Sequence, residues 1–182
     1  MARDLVVTQN ITVDGVVEAT DDWFGVAGGE GNDDLDAVLA AQRDASDGFL
    51  AGRGTFEAMR DFWGPQTDDT TGVTAHLNRV QKYVLSTTLT DPGWEPTTVL
   101  RSLDDVRAVK DTAGGDIVCT GSTTVCRALA GAGLVDEYRL FVFPYARGSG
   151  ERLFDGTPPE WLRPVETTTF RSGALLVRYR TD

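Results

Sequence analysis

Histidine and cysteine are nearly missing from this 182-residue sequence: one histidine, His76, and two cysteines, Cys119 and Cys126. One histidine without a Cys or Ser nucleophile motif nearby makes neither a catalytic pair nor a zinc site, so His76 reads as a surface residue. The cysteines sit in apolar surroundings without metal-ligand spacing and read as buried free thiols of a reducing compartment. Acids are plentiful, but no loop shows the ligand spacing of a calcium site, and no metal is expected. Positive charge is also short, with 17 Lys and Arg against 28 Asp and Glu and a formal net charge of -11. That balance argues against nucleic acid and against an anionic membrane surface. No apolar run approaches the roughly 20 residues of a membrane helix. Met1-Ala2-Arg3-Asp4 runs straight into the strand-like Leu5-Val6-Val7, leaving no room for a signal peptide, and the expected location is cytoplasmic. Repeats, low-complexity tracts and linkers are absent, so residues 1–182 are read as one domain, and 41% hydrophobic content can fill its core.

What is present alternates. Leu5–Thr12 reads as a strand ending at the turn Asp14-Gly15, and residues 21–34 as a long acidic, Gly-rich loop. Gly28-Gly29-Glu30-Gly31 lacks a preceding strand and is no dinucleotide fingerprint. Leu35, Val38, Leu39 and Gln42 recur at helical spacing and predict a helix over Asp33–Ala45. Phe49–Ala51, Lys82–Ser86, Thr97–Leu100 and Asp116–Thr120 read as strands. Helices are expected from Thr55, from Ser102 with Asp105 as a capping box, and over Thr123–Ala130. The stretch through Trp63-Gly64-Pro65 toward Asn78 reads as a polar loop. From Val135 onward the helices stop: Tyr138–Phe143, Val165–Phe170 and Ala174–Tyr179 are strands, the last two joined by Arg171-Ser172-Gly173. The pattern predicts an α/β fold with a mostly parallel central sheet, flanking helices and a C-terminal antiparallel hairpin.

Open sheets of this kind bind ligands beyond the carboxyl ends of their strands. Three such ends carry small polar residues: Gly52-Arg53, Ser86-Thr87-Thr88 and Thr120-Gly121-Ser122-Thr123. At Gly52-Arg53-Gly54-Thr55, with Thr55 read as the helix N-cap, free amides, the positive helix end and a guanidinium share a small volume that suits a phosphate. An ordinary strand-to-helix loop with a surface arginine reads equally well from this motif alone.

The ordered set of motifs resembles the dihydrofolate-reductase-like superfamily, and within it the C-terminal reductase domain of RibD, the bifunctional riboflavin-biosynthesis enzyme, and its stand-alone relatives. The matching pieces are Val13-Asp14-Gly15, Gly52–Glu57, Lys82–Leu89 with Trp94, Thr120-Gly121-Ser122, Gly133–Glu137 and Gly148–Phe154. The resemblance implies a three-layer fold and NADPH as cofactor. Gly52, Gly54 and Thr55 would then hold pyrophosphate and Arg53 the adenosine 2′-phosphate. Ser86, Thr87 and Thr88 would lie on the adenosine side, with Gly121, Ser122 and Thr123 on phosphate at a second helix start. The family often has two adjacent glycines where this chain has Thr120-Gly121. Asp14 and Gly15 would border the nicotinamide, although Asp-Gly is also a plain turn and that reading is preferred. Asp36 falls near the pterin-holding acid of dihydrofolate reductases, although acids favour a helix start in any case.

The resemblance implies an NADPH-dependent reductase of C=N or C=O groups in a small heterocyclic or sugar-derived substrate. The nearest branch acts on 5-amino-6-(5-phosphoribosylamino)uracil. Dihydrofolate reduction and a non-catalytic nucleotide-binding module are the alternatives, and no deaminase zinc motif accompanies the reductase. The apolar final strands (Leu140–Phe143 and Leu175–Val177) need cover on both faces once the helices are used up, which predicts a homodimer or a fold-back of the loop from Pro144 to Pro164.

Overall fold

The computed structural model describes residues 2–18, 23 and 32–181. In chain order these form β1 (Leu5–Thr12), α1 (Asp33–Ala45), β2 (Ser46–Gly52), α2 (Arg53–Trp63), α3 (Val73–Arg79), β3 (Gln81–Leu85) and β4 (Thr97–Leu100). Then come α4 (Leu103–Lys110), β5 (Asp116–Cys119), α5 (Thr123–Gly131), β6 (Glu137–Phe143), β7 (Leu162–Thr169) and β8 (Leu175–Thr181). Among the described residues the strands make one sheet in the order β4-β3-β2-β5-β1-β6-β8-β7. β1 to β6 run parallel, whereas β8 is antiparallel to β6 and β7 to β8.

Central parallel strands are covered on both faces, which is why Leu5, Val6 and Val7 are consecutive and all fully buried. On one face Leu50, Ile117 and Cys119 pack against Val106 of α4 and Val125, Cys126 and Leu129 of α5. On the other, Phe49, Ala51 and Val84 meet Phe56 of α2 and Leu77 of α3. Phe141, Phe143 and Leu176 meet Leu35 of α1 on that same side. The result is the three-layer α/β arrangement with its C-terminal hairpin. The Ser102–Asp105 capping box forms as expected, with Ser102 Oγ accepting from Asp105 N–H (3.2 Å) and the Asp105 carboxylate from Ser102 N–H (3.0 Å).

Two local expectations are corrected. α2 starts at Arg53 with Gly52 as its N-cap, so Thr55 lies inside the first turn. The polar stretch after Trp63 contains α3. Its start is held by Asp69, whose carboxylate accepts from Thr71 and Thr74 N–H (both 2.8 Å), too far upstream of the helix to read as an ordinary cap. The apolar end strands find much of their cover within the chain. Leu153 is buried in the core, Val17 N–H donates to Glu151 (2.8 Å), and the Phe154 ring stands edge-on to Tyr138 at 5.2 Å. The fold-back of the loop after Pro144 therefore shields one face of β6 and α1 the other. Gly28–Gly31 lies outside the described residues.

One buried polar network pins the sheet at the amino edge of its parallel strands. Glu137 and Arg139, two apart on β6, share a face. Glu137 Oε1 accepts from Arg139 Nε (2.8 Å) and Arg178 Nε (2.7 Å), while Arg139 reaches Asp116 at 2.8 Å. Burial alone would raise the Glu137 pKa, but the hydrogen bonds from Arg178 and Arg139 outweigh it and hold the carboxyl below its ordinary value.

Candidate cofactor and substrate site

The parallel strands end on one edge, and there the β2–α2 and β5–α5 junctions touch. Gly52 N–H faces the Gly121 carbonyl at 3.4 Å. A Cβ on Gly52 would sit 2.7 Å from Ser122 Oγ and 3.0 Å from Val125 Cγ2. Gly121, at φ +144°, lies where side-chain-bearing residues rarely go, and a Cβ there would come 3.3 Å from Thr55 Oγ1. Two glycines thus let two helix starts converge, with the unpaired first-turn amides of α2 and α5 side by side. Ser122 is the N-cap of α5 and Thr123 its first residue. A Cβ at Gly54 would meet nothing within 4 Å, which leaves open space above the first turn of α2. Beneath the second junction Cys119 and Cys126 lie buried, their sulfurs 3.8 Å apart.

Beside these helix starts runs a cleft of about 420 Å³ between the ends of β3 and β4 and α5, lined by Ser86, Thr87, Arg101, Ser102 and Thr124. Ser86 Oγ accepts from Thr88 and Leu89 N–H (3.2 and 3.1 Å), which shapes the turn. Arg53 Nη1 donates to Thr88 Oγ1 (3.3 Å) from one side, and Arg101 Nη1 to the Ser86 carbonyl (2.8 Å) from the other. Sequence reasoning missed Arg101 because a lone arginine before a helix cap carries no signal. The sheet order β4-β3-β2 places it on the other side of β3 from Arg53.

Asp14 and Gly15 are on the same edge, and Asp14 is tied into the framework. The Asp14 carboxylate accepts from Thr12 Oγ1 (2.6 Å), Arg147 N–H (3.0 Å) and Gly148 N–H (2.8 Å). The Thr12 hydroxyl first, then the two backbone amides, pull its pKa down to about 2. This clamp ties the end of β1 to the returning loop, in agreement with the turn reading.

A second cavity, of about 390 Å³, opens over the middle of the sheet under α1, α2 and α3. Its floor holds Thr8 and Asn10 of β1 and Thr120, the residue before Gly121, so it adjoins the paired helix starts. Trp63, Phe49 and Met59 give it apolar walls, and Gln42, Arg43 and His76 gather on its α1–α3 side. His76 is half-buried and lines this cavity instead of standing free on the surface. Burial, aided by Arg79 and Arg43, pushes its pKa below the ordinary value and keeps it neutral near pH 7. Asp36 is exposed on α1 and does not reach this cavity, which α1 lines one turn later through Leu39, Gln42 and Arg43. Among the described residues no carboxylate lines it.

Comparison with known proteins agrees with this geometry. The model of the RibD C-terminal domain family matches residues 3–176, and the chain belongs to that family. The uncharacterized protein YyaP of Bacillus subtilis (strain 168) is 28% identical over 190 residues, covering 97% of this chain and 94% of YyaP. Among solved structures, a candidate riboflavin-biosynthesis protein from Shewanella sp. PV-4 superposes with a TM-score of 0.78 at 20% identity, covering 100% of this chain and 99% of that one. Dihydrofolate reductase from Enterococcus faecalis, solved in complex with NADP(H) and RAB-propyl, gives a TM-score of 0.64 at 18% identity over 98% and 96% of the two chains. The fold is dihydrofolate-reductase-like. Among the described residues no helix is long and apolar enough to cross a membrane, and no group of three or more His, Cys, Asp or Glu could hold a metal.

Proposed function

We propose that this chain is an NADPH-dependent reductase of a small heterocyclic or sugar-derived C=N or C=O group. The supporting observation is the pair of helix starts brought together at Gly52 and Gly121, flanked by two arginines and adjoining the cavity at Thr120. The unpaired amides of α2 and α5 fit a pyrophosphate, and the two glycines leave its oxygens room to approach. Arg53 and Arg101, on either side of the Ser86–Thr88 turn, fit the adenosine 2′-phosphate that NADH lacks. When bound, such a cofactor supplies the hydride, and the protein positions the acceptor. Asn10, Gln42 and Thr8 offer the cavity hydrogen-bonding groups for a planar heterocycle, and Arg43 with His76 offers a place for an anionic substituent.

Among the described residues no carboxylate lines the cavity, and a 5-amino-6-(5-phosphoribosylamino)uracil-like substrate, with water as proton source, is the reading preferred over dihydrofolate. Arg53→Ala and Arg101→Ala should each weaken NADPH binding about ten- to hundred-fold, the value of one charge-assisted contact, and leave NADH nearly unchanged. Equal losses for both cofactors would remove that role. Loss of nicotinamide absorbance with the uracil substrate supports turnover, whereas binding without oxidation of any candidate leaves the non-catalytic module.

The reading includes a cytoplasmic homodimer that acts on a small molecule, with neither nucleic acid nor membrane as partner. Exposed Trp161 and Val165 beside and on the outer strand β7 support the assembly. Light scattering should give about twice the 19.7 kDa chain mass, and a mass near 19.7 kDa refutes the dimer.

A further inference from the structure

The far end of α5 borders a cavity that the proposed reaction does not use. It encloses about 540 Å³ between the last turn of the helix and the returning segment, and Tyr138, Phe154, Pro158, Pro159, Glu160 and Leu162 form most of its wall. The cofactor groove meets α5 through Thr124, Val125 and Ala128, whereas this cavity meets its last residues, Ala130 and Gly131.

Three properties define what fits there. The wall is built from aromatic and proline rings, which suit an apolar body of modest size. Its charge is of one sign. Among the described residues Glu160 is the one acidic side chain lining it, no Lys, Arg or His does so, and the C-terminal pole of α5 at Ala130 and Gly131 adds partial negative charge. Two cations sit outside the cavity beyond that end: Arg107 Nη2 donates to the Ala132 carbonyl (3.4 Å), and Lys110 Nζ, paired with Asp136 (2.6 Å), donates to that of Leu134 (2.7 Å). Finally, Tyr138 is buried and its hydroxyl has no hydrogen-bond partner, an uncommon state for a polar group in a core. Burial, then the charge of Glu160, pushes the phenol pKa up, so it stays a neutral hydroxyl able to accept a hydrogen bond.

We infer that this cavity is a binding site for a small organic ammonium with an aromatic body. The carboxylate of Glu160 and the end of α5 hold the cation, the rings of Phe154 and Tyr138 flank it, and the Tyr138 hydroxyl gains a partner. The site is independent of the reductase reading.

The test uses benzylamine as probe and benzyl alcohol, its uncharged counterpart of the same shape, with the shifts of the Gly131, Gly133 and Tyr138 amides followed by NMR. Benzylamine should move these signals saturably and bind about ten-fold more tightly than benzyl alcohol, the combined value of an ion pair and a cation–π contact. Glu160→Gln, at an exposed position, should remove that preference and leave benzyl alcohol unchanged. Gly131→Leu should block both probes, since a Cβ at Gly131 meets only Pro158 Cδ at 4.0 Å and a larger side chain can grow into the space. Equal affinity for the two probes, an unaltered preference in Glu160→Gln, or no shifts with either probe overturns the assignment. NADPH titration of wild type, Glu160→Gln and Gly131→Leu runs alongside. All three should agree, and an absence of NADPH binding in all of them would count against the reductase reading alone.

Discussion

Gly121→Val should lose at least about a hundred-fold in NADPH affinity while keeping a native circular-dichroism spectrum, the equivalent of two charge-assisted phosphate contacts. The backbone at φ +144° disfavours any side chain and a β-branched one most. The added atoms would also press on Thr55, whose hydroxyl lies 3.3 Å from where a Cβ would stand. Relief requires the β5–α5 junction to draw away from the start of α2, which separates the two sets of amides. The strain is local to an edge loop and costs about 1–3 kcal/mol, so the fold survives. Unchanged NADPH affinity would mean that Gly121 serves only its turn.

Glu137→Ala should lower the stability of the folded chain by about 3–5 kcal/mol, because Arg139 would be left buried with Asp116 as its one remaining acidic partner. Glu137 is 2% exposed and also anchors Arg178, so water cannot replace the lost carboxylate. For a chain of this length the melting temperature should drop by about 6–20 °C. The network lies at the amino edge of the parallel strands, opposite the cofactor groove, so the NADPH affinity of folded protein should not change. A loss below about 1 kcal/mol would show that the ion pairs contribute little net stability.

Elements with strong local signals were legible in the sequence. α1 matched its predicted limits because Leu35, Val38 and Leu39 mark one face, and α4 announced itself through its capping box. The Gly52, Ser86 and Gly121 motifs could be placed on one edge because parallel strands must end together. α3 was hidden because its start is held by Asp69 from several residues upstream. The position of Arg101, the half-buried one of His76 and the exposed one of Asp36 could not be read for a shared reason: which residues face a cavity depends on how helices settle on the sheet, and local spacing does not record that. The cover over β6 came from a long loop whose path is set by contacts such as Asp14 with Arg147 and Gly148, far apart in sequence.

Titrating the wild-type chain with NADPH, followed by nicotinamide fluorescence, tests the central claim most directly. The paired helix starts and the two arginines predict saturable binding with a dissociation constant of about 1 μM to 1 mM, the usual range of enzyme Michaelis constants. An absence of saturable binding up to about 1 mM, the weak end of that range, would contradict it.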